Sequence, residues 1–113
     1  MITKGLTHSI IDQTENNVLL EVIFHKDFPY FEGHFEGFHL LPALLQINFV
    51  VEMGKKYLPV KNNPQTIPNM KFTKPIYPEM KVNVELKWID EKQQVNFRFF
   101  KDDQVYSQGA YRP

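Results

Sequence analysis

The sequence contains no cysteine in its 113 residues, so disulfides, thiol nucleophiles and cysteine-based metal sites are excluded. It also lacks excess charge, because 13 Lys and Arg balance 13 Asp and Glu, which argues against a nucleic-acid-binding surface. No apolar run reaches the length of a membrane-spanning helix. With no cysteine and no signal-like apolar segment near residue 1, we expect a cytoplasmic protein.

What the sequence does contain is typical of a folded domain. Hydrophobic residues make up 42% of the chain and charged residues 23%, and ten Phe, five Tyr and one Trp supply a rich aromatic core. The length suits one domain and is too short for two ordinary ones. We therefore expect residues 1–113 to form a single domain.

The apolar pattern predicts a hairpin, one helix and four further strands. The predicted strands are 6–12, 18–24, 70–76, 81–89, 95–101 and 104–111, and the predicted helix is 42–58. Short connections at 91–93 and 102–103 indicate antiparallel neighbours, so we expect a four-strand meander after the helix. The helix is apolar over most of its surface and is expected to be buried. The predicted fold is α+β, a curved antiparallel β-sheet wrapped around one long central helix.

Two motifs stand out in this frame. Residues 28–48 read FPYFEGHFEGFHLLPALLQIN, in which Gly33-His34-Phe35 precedes Leu41-Pro42-Ala43, and Pro42 lies eight positions after His34. Residues 71–80 read KFTKPIYPEM. The long segment between the hairpin and the helix has no regular period, and loops of such length in compact domains tend to be functional.

Together these motifs resemble the hotdog-fold 3-hydroxyacyl-ACP dehydratases of the FabA and FabZ type. The second motif resembles their KF..PV.PGD segment, and Gln46-Ile47 is similar to the ApeI-like, aryl-polyene-type subgroup. The resemblance implies a hotdog fold and dehydration of a 3-hydroxyacyl thioester in lipid metabolism of the fatty-acid or polyene type. It also implies a substrate carried on the phosphopantetheine of acyl carrier protein or CoA, and no metal or organic cofactor. The expected assembly is a homodimer, with a heterodimer or a larger oligomer of dimers as alternatives.

The resemblance also assigns roles to individual residues. His34 would be the catalytic base, and the backbone N–H of Ala43, at the positive end of the helix, would stabilise the enolate oxygen. The residues expected to contact substrate are Gly33, Phe35, Leu41, Pro42 and Ala43. Asn48 stands where the family carries a catalytic Glu or Asp, and an amide cannot protonate a leaving hydroxide. Asn48 would instead orient the hydroxyl, with Glu52, one helical turn further on, as a candidate acid.

Alternative interpretations remain open at this point. A hotdog thioesterase needs no acid for hydroxide departure, so Asn48 would not impair it. A non-catalytic subunit that binds acyl chains or supports an active partner would also tolerate Asn48. His34 and Asn48 could be structural, and His8 and His25, which carry no motif, are interpreted as surface residues. The four histidines lack a supporting carboxylate pattern, so no metal site is expected.

Overall fold

A computed structural model of the chain describes residues 5–27 and 43–113. These residues form six β-strands and one α-helix. The elements are β1 Leu6–Gln13, β2 Asn17–Phe24, α1 Ala43–Tyr57, β3 Thr66–Phe72, β4 Lys81–Ile89, β5 Gln94–Lys101 and β6 Gln104–Arg112. A short 3₁₀ turn, Asp90–Lys92, joins β4 to β5. The predicted helix and strands are confirmed to within a few residues, except at β3.

The six strands form one antiparallel sheet in the order β1-β2-β4-β5-β6-β3. The predicted four-strand meander is wrong, because β3 pairs with β6 at the far edge and not with β4. The strand also starts at Thr66 and ends at Phe72, earlier than predicted. The edge position explains why β3 tolerates Pro68. Proline has no backbone N–H to donate, and one side of an edge strand forms no hydrogen bonds to a neighbouring strand.

The segment between β3 and β4 explains this topology. The backbone N–H groups of Thr73 and Lys74 both donate to the carbonyl oxygen of Tyr106 on β6, at 2.9 and 3.1 Å. Further along, the N–H of Glu79 donates to the carbonyl oxygen of Phe24 at 2.8 Å. The chain therefore crosses one end of the sheet from β6 to β2, and it returns as β4 beside β2.

The core lies between α1 and the inner face of the sheet. Alternate side chains of the strands point inward, as the period of two requires. The fully buried strand residues include Val18, Leu20, Val22, Phe24, Val82, Val84, Leu86, Val95, Phe99 and Tyr111. Phe49, Val50 and Met53 of α1 complete the core. Each such aliphatic or aromatic side chain contributes roughly 1.5–3 kcal/mol through burial, so this layer is the main source of stability.

The helix is buried along one face only. Its buried residues are Gln46, Phe49, Val50, Met53 and Gly54. On the opposite side Leu44 remains 67% exposed, so the expectation that the helix is buried all round is wrong for the single chain. The physical reason is that one curved sheet covers one side of a helix. The hydroxyl of Ser107 on β6 donates to Gln46 Oε1 at 2.6 Å, which fixes the rotation of α1 against the sheet.

Candidate functional site

The N-terminus of α1 is the positive end of the helix dipole. The helix begins at Ala43, which is exposed, and its first turn contains no acidic residue. Lys55 and Lys56 occupy the last turn, where cations suit the negative end of the helix. The N–H groups of a first helical turn have no partner within the helix. The start of α1 therefore suits a developing negative charge, which is the role predicted for the Ala43 N–H.

Asn48 and Glu52 lie on the side of α1 that faces away from the core. At 100° per residue they point almost opposite to the buried row. Asn48 is exposed, whereas Glu52 is half-buried. Leu45 and Val51, both half-buried, flank them. The two candidate residues thus share one helix face, as predicted, and the sheet of the same chain does not cover that face.

The remaining predicted site residues fall outside the described residues. They are Gly33, His34, Phe35, Leu41 and Pro42. The roles of these residues, and of Asn48 and Glu52, stay predictions.

A polar cluster at the end of β2 was missed by sequence reasoning. The carboxylate of Glu79 accepts two hydrogen bonds, from His25 Nδ1 at 3.1 Å and from the backbone N–H of Lys26 at 2.6 Å. His25 Nε2 lies 3.0 Å from the hydroxyl of Thr7. His25 and Glu79 are 54 positions apart, so no local pattern brings them together. The available signal was Glu79 itself, which follows Pro78 in the second motif where the resembled segment has glycine.

The surroundings of Glu79 and of His8 lower the pKa of both side chains. The N–H of Lys26, and then the hydrogen bond from His25, lower the pKa of the Glu79 carboxyl. Burial, and then the charge of Lys56, lower the pKa of His8, whose Nε2 lies 3.1 Å from the Tyr57 hydroxyl. His8, predicted to be a surface residue, is half-buried: its ring packs edge-on against Phe49 with centroids 6.4 Å apart.

A concave region lies on the outer face of the sheet. This groove has a volume of roughly 610 Å³ and crosses β4, β5, β6 and β3. Its charged lining residues are Lys71, Glu85, Lys87 and Arg98. Since Glu85, Lys87 and Arg98 alternate with core residues, the groove is separated from α1 by the sheet. It therefore does not form part of the site around Asn48.

Within residues 5–27 and 43–113, no group of three or more His, Asp or Glu side chains is placed to hold a metal ion. In the same part of the chain, no helix has the length and apolarity needed to cross a membrane.

The strand order, the curvature of the sheet around one helix and the helix face bearing Asn48 define a hotdog domain. Within this class the chain belongs to the ApeI-like family, described as ApeI dehydratase, which matches residues 10–110. Membership supports a dehydratase-type function.

Solved structures confirm the fold. The dehydratase heterocomplex ApeI:P from Xenorhabdus doucetiae is 24% identical with a TM-score of 0.83, covering 94% of this chain and 96% of that one. An uncharacterised protein from Erwinia carotovora subsp. atroseptica is 25% identical with a TM-score of 0.71, covering 94% and 90%. An uncharacterised protein from Pyrococcus horikoshii is 16% identical with a TM-score of 0.65, covering 96% and 82%. No curated protein sequence matches the chain.

Proposed function

We propose that this protein dehydrates a 3-hydroxyacyl thioester carried on acyl carrier protein or CoA, with His34 as the base. The observation that carries the proposal is the match of the ApeI-like dehydratase family to residues 10–110. The geometry of α1 supports it, because the helix start at Ala43, whose first turn carries no acidic residue, and the face with Asn48 and Glu52 belong to the same helix.

In the proposed reaction, neutral His34 removes the proton from C2 of the substrate. The thioester oxygen gains negative charge and is stabilised by the Ala43 N–H, an interaction worth roughly 2.7–4 kcal/mol. The C3–O bond then breaks as the C2–C3 double bond forms, and the leaving hydroxide takes a proton to become water. Asn48 orients the 3-hydroxyl, and Glu52, four positions further along the helix, supplies the proton.

We also propose that a second hotdog subunit, identical or different, completes the active unit. Leu44 is 67% exposed beside the proposed site, and the edge strand β3 exposes Ile67 and Phe72 by 46% and 41%. Apolar side chains at an open sheet edge favour pairing with another chain. The similar structure from X. doucetiae is itself described as a heterocomplex.

A second candidate function is a supporting or thioester-hydrolysing subunit, and Asn48 is the residue that favours it. Its amide offers no acidic proton, so the proposed dehydration depends on Glu52. Hydrolysis of a thioester has no leaving hydroxide to protonate. The two reactions differ in product, since hydrolysis releases a free thiol whereas dehydration leaves the thioester intact.

The deciding experiment is hydration of an enoyl thioester, the reverse reaction, followed by loss of enoyl absorbance. Wild type, His34→Ala, Glu52→Gln and Asn48→Glu are compared on CoA and acyl carrier protein substrates. We expect wild-type turnover and a loss of 10²-fold or more in His34→Ala. His39→Ala is the matched control, since it removes another histidine from the same segment.

Other results of this assay would point to one of the alternative functions. No wild-type turnover together with activity in Asn48→Glu identifies a dehydratase scaffold that lacks its acid. Release of free thiol identifies a hydrolase. Activity that appears only when a second hotdog subunit is added identifies a heteromeric enzyme.

A further inference from the structure

The groove on the outer face of the sheet, roughly 610 Å³ in volume, owes its shape to the size of its side chains. Its floor is Ala110 of β6, which is 2% exposed and lies in register between Asn96 of β5 and Asn69 of β3. Both asparagines are exposed, so the short alanine lies below its two neighbours in the same row. Concave regions of this volume are typical of small-molecule sites.

Three cationic side chains and one carboxylate line this groove. Glu85 of β4 and Arg98 of β5 lie opposite each other and form an ion pair, with Glu85 Oε1 3.5 Å from Arg98 Nη2. Lys71 and Lys87 are exposed, and neither has a carboxylate partner among the described residues. The lining therefore carries a formal charge of +2, since three positive side chains oppose one negative side chain.

Glu85 satisfies the guanidinium of Arg98 only in part. A charge-assisted hydrogen bond measures about 2.7–2.9 Å, whereas this pair is separated by 3.5 Å. Arg98 Nε has no acceptor within the described part of the chain, and the guanidinium carbon lies 4.2 Å from the centroid of the Phe100 ring, which holds it by a cation–π contact. The side chain of Arg98 is 42% exposed and that of Glu85 24%, so the positive charge of the pair is the more accessible one.

A chain of three hydrogen-bonding side chains determines which end of the Asn96 amide is free. Arg112 can only donate, and its Nε donates to Gln94 Oε1 at 3.2 Å. The other end of the Gln94 amide is a donor, and its Nε2 donates to Asn96 Oδ1 at 2.6 Å. The oxygen of Asn96 is therefore occupied. Its Nδ2 keeps two N–H donors that have no acceptor among the residues the structure describes, and donors suit an anion.

The cations lie on both sides of the floor. Lys87 and Arg98 belong to β4 and β5, whereas Lys71 belongs to β3, two strands beyond Arg98. Since neighbouring strands are about 4.8 Å apart, the strands that carry Arg98 and Lys71 are about 10 Å apart. Two linked phosphate groups can contact cations on both sides at once. The recessed floor also favours a small ligand over the broad surface that a protein partner would present.

We propose that this groove binds a small molecule that carries a diphosphate, such as a nucleoside diphosphate. The phosphates contact Lys71, Lys87 and Arg98, and Asn96 Nδ2 donates to a phosphate oxygen. The exposed amides of β3 and β6 that line the groove are available to the uncharged part of the ligand. The sheet separates the groove from α1, so this inference is independent of the proposed dehydration.

Isothermal titration calorimetry with ADP, at low ionic strength and without any thioester, tests the proposal. We expect a Kd of about 0.1–1 mM that weakens as salt is added, because salt screens exposed charges. AMP, which has one phosphate, is expected to bind about five-fold more weakly. Adenosine, which has none, is expected not to bind. Backbone amide shifts in NMR spectra should change in β4, β5, β6 and β3 and remain unchanged in α1.

Three replacements test the lining, each checked for folding by urea unfolding. Lys87→Gln removes one charge and is expected to weaken ADP binding about three- to five-fold. Asn96→Ala removes the free N–H donors and is expected to weaken it about three-fold. Ala110→Leu fills the floor with all charges intact and is expected to abolish binding. Lys81→Gln is the matched control, because Lys81 lies on the same face of β4 outside the groove, with Nζ 3.9 Å from Glu21 Oε1.

The following results would overturn the inference. ADP that does not bind at about 5 mM excludes a site of the expected affinity. Equal losses in Lys87→Gln and Lys81→Gln would mean that the charge of the whole face, and not the groove, attracts the nucleotide. Full binding in a folded Ala110→Leu variant would have the same meaning. Tighter binding of an oligoglutamate peptide than of ADP would assign the groove to an acidic protein partner. None of these measurements depends on turnover, so a failure of the proposed function leaves the result of this test unchanged.

Discussion

Replacement of Gly54 by alanine tests how closely α1 packs against β6. A Cβ at this position would lie 2.3 Å from the hydroxyl oxygen of Tyr111, a distance that no real contact permits. Tyr111 is fully buried, so its ring has no room to withdraw. Alanine favours the helix over glycine by about 1 kcal/mol, whereas overpacking of a core costs about 1–3 kcal/mol. We therefore expect Gly54→Ala to lose up to about 2 kcal/mol of unfolding free energy, the difference between these two effects.

Removal of the Tyr111 hydroxyl should reverse this result. The hydroxyl finds no hydrogen-bond partner among the described residues, and burial raises the pKa of Tyr111 to about 12. An unsatisfied buried hydroxyl costs about 1–3 kcal/mol, so Tyr111→Phe is expected to be neutral or mildly stabilising. Once the oxygen is absent, the nearest ring atom lies 3.6 Å from the added Cβ, an ordinary contact.

The double variant Gly54→Ala/Tyr111→Phe is therefore expected to be about 1 kcal/mol more stable than wild type, from the helix preference of alanine. The coupling between the two sites is then roughly 2 kcal/mol in favour of the pair. Urea unfolding at fixed protein concentration measures it, with a shift in midpoint at constant m. In a thermal scan, each kcal/mol corresponds to about 4 °C.

Tyr77→Phe is the matched control, because it removes a hydroxyl from a ring that is 45% exposed and should change stability little. A double variant less stable than Gly54→Ala alone would refute the reasoning. It would mean that the hydroxyl makes a favourable contact and that the space beside Gly54 is not set by the oxygen.

Two further predictions concern buried polar groups. Ser107→Ala removes the 2.6 Å hydrogen bond to Gln46 and should lower the free energy of unfolding, measured in urea, by about 1–2 kcal/mol. Ser9→Ala, at an exposed position of β1, is the control and should change it little. Equal losses in the two variants would contradict the role of the buried hydrogen bond. Because burial and Lys56 lower the pKa of His8 from 6.5, the folded state resists protonation and stability should fall as the pH drops below about 6.5. His8→Asn should flatten that slope in urea titrations at stepped pH, and an unchanged slope would show that His8 is not its source.

Local patterns predicted most elements because each pattern has one dominant physical cause. β4 has the predicted bounds, since the alternation from Val82 to Trp88 fits only a strand with one buried face. The helix was found because Pro42 and Pro59 bracket an apolar segment, and Pro59 stops a helix by removing a donor. The family was likewise recognised from the two motifs and is confirmed by the match to residues 10–110.

The placement of β3 could not be read from the sequence. Its neighbour is chosen by the path of residues 73–80 across the end of the sheet, which depends on backbone hydrogen bonds to Tyr106 and Phe24 from distant strands. The helix face that is buried was equally ambiguous, because apolar residues occur on both sides of α1. The contact between Gln46 and Ser107, 61 positions apart, selects one side.

The sequence by itself determined the helix, every described strand except β3, the family and the candidate residues His34, Asn48 and Glu52, because periodicity, proline and motif spacing act over short distances along the chain. Only the tertiary structure decided that Asn48 and Glu52 face away from the core and that Glu79 binds His25 and Lys26. Those facts depend on which distant segments pack together. Long-range packing is fixed by the shape of the whole core, which no local window of the sequence contains.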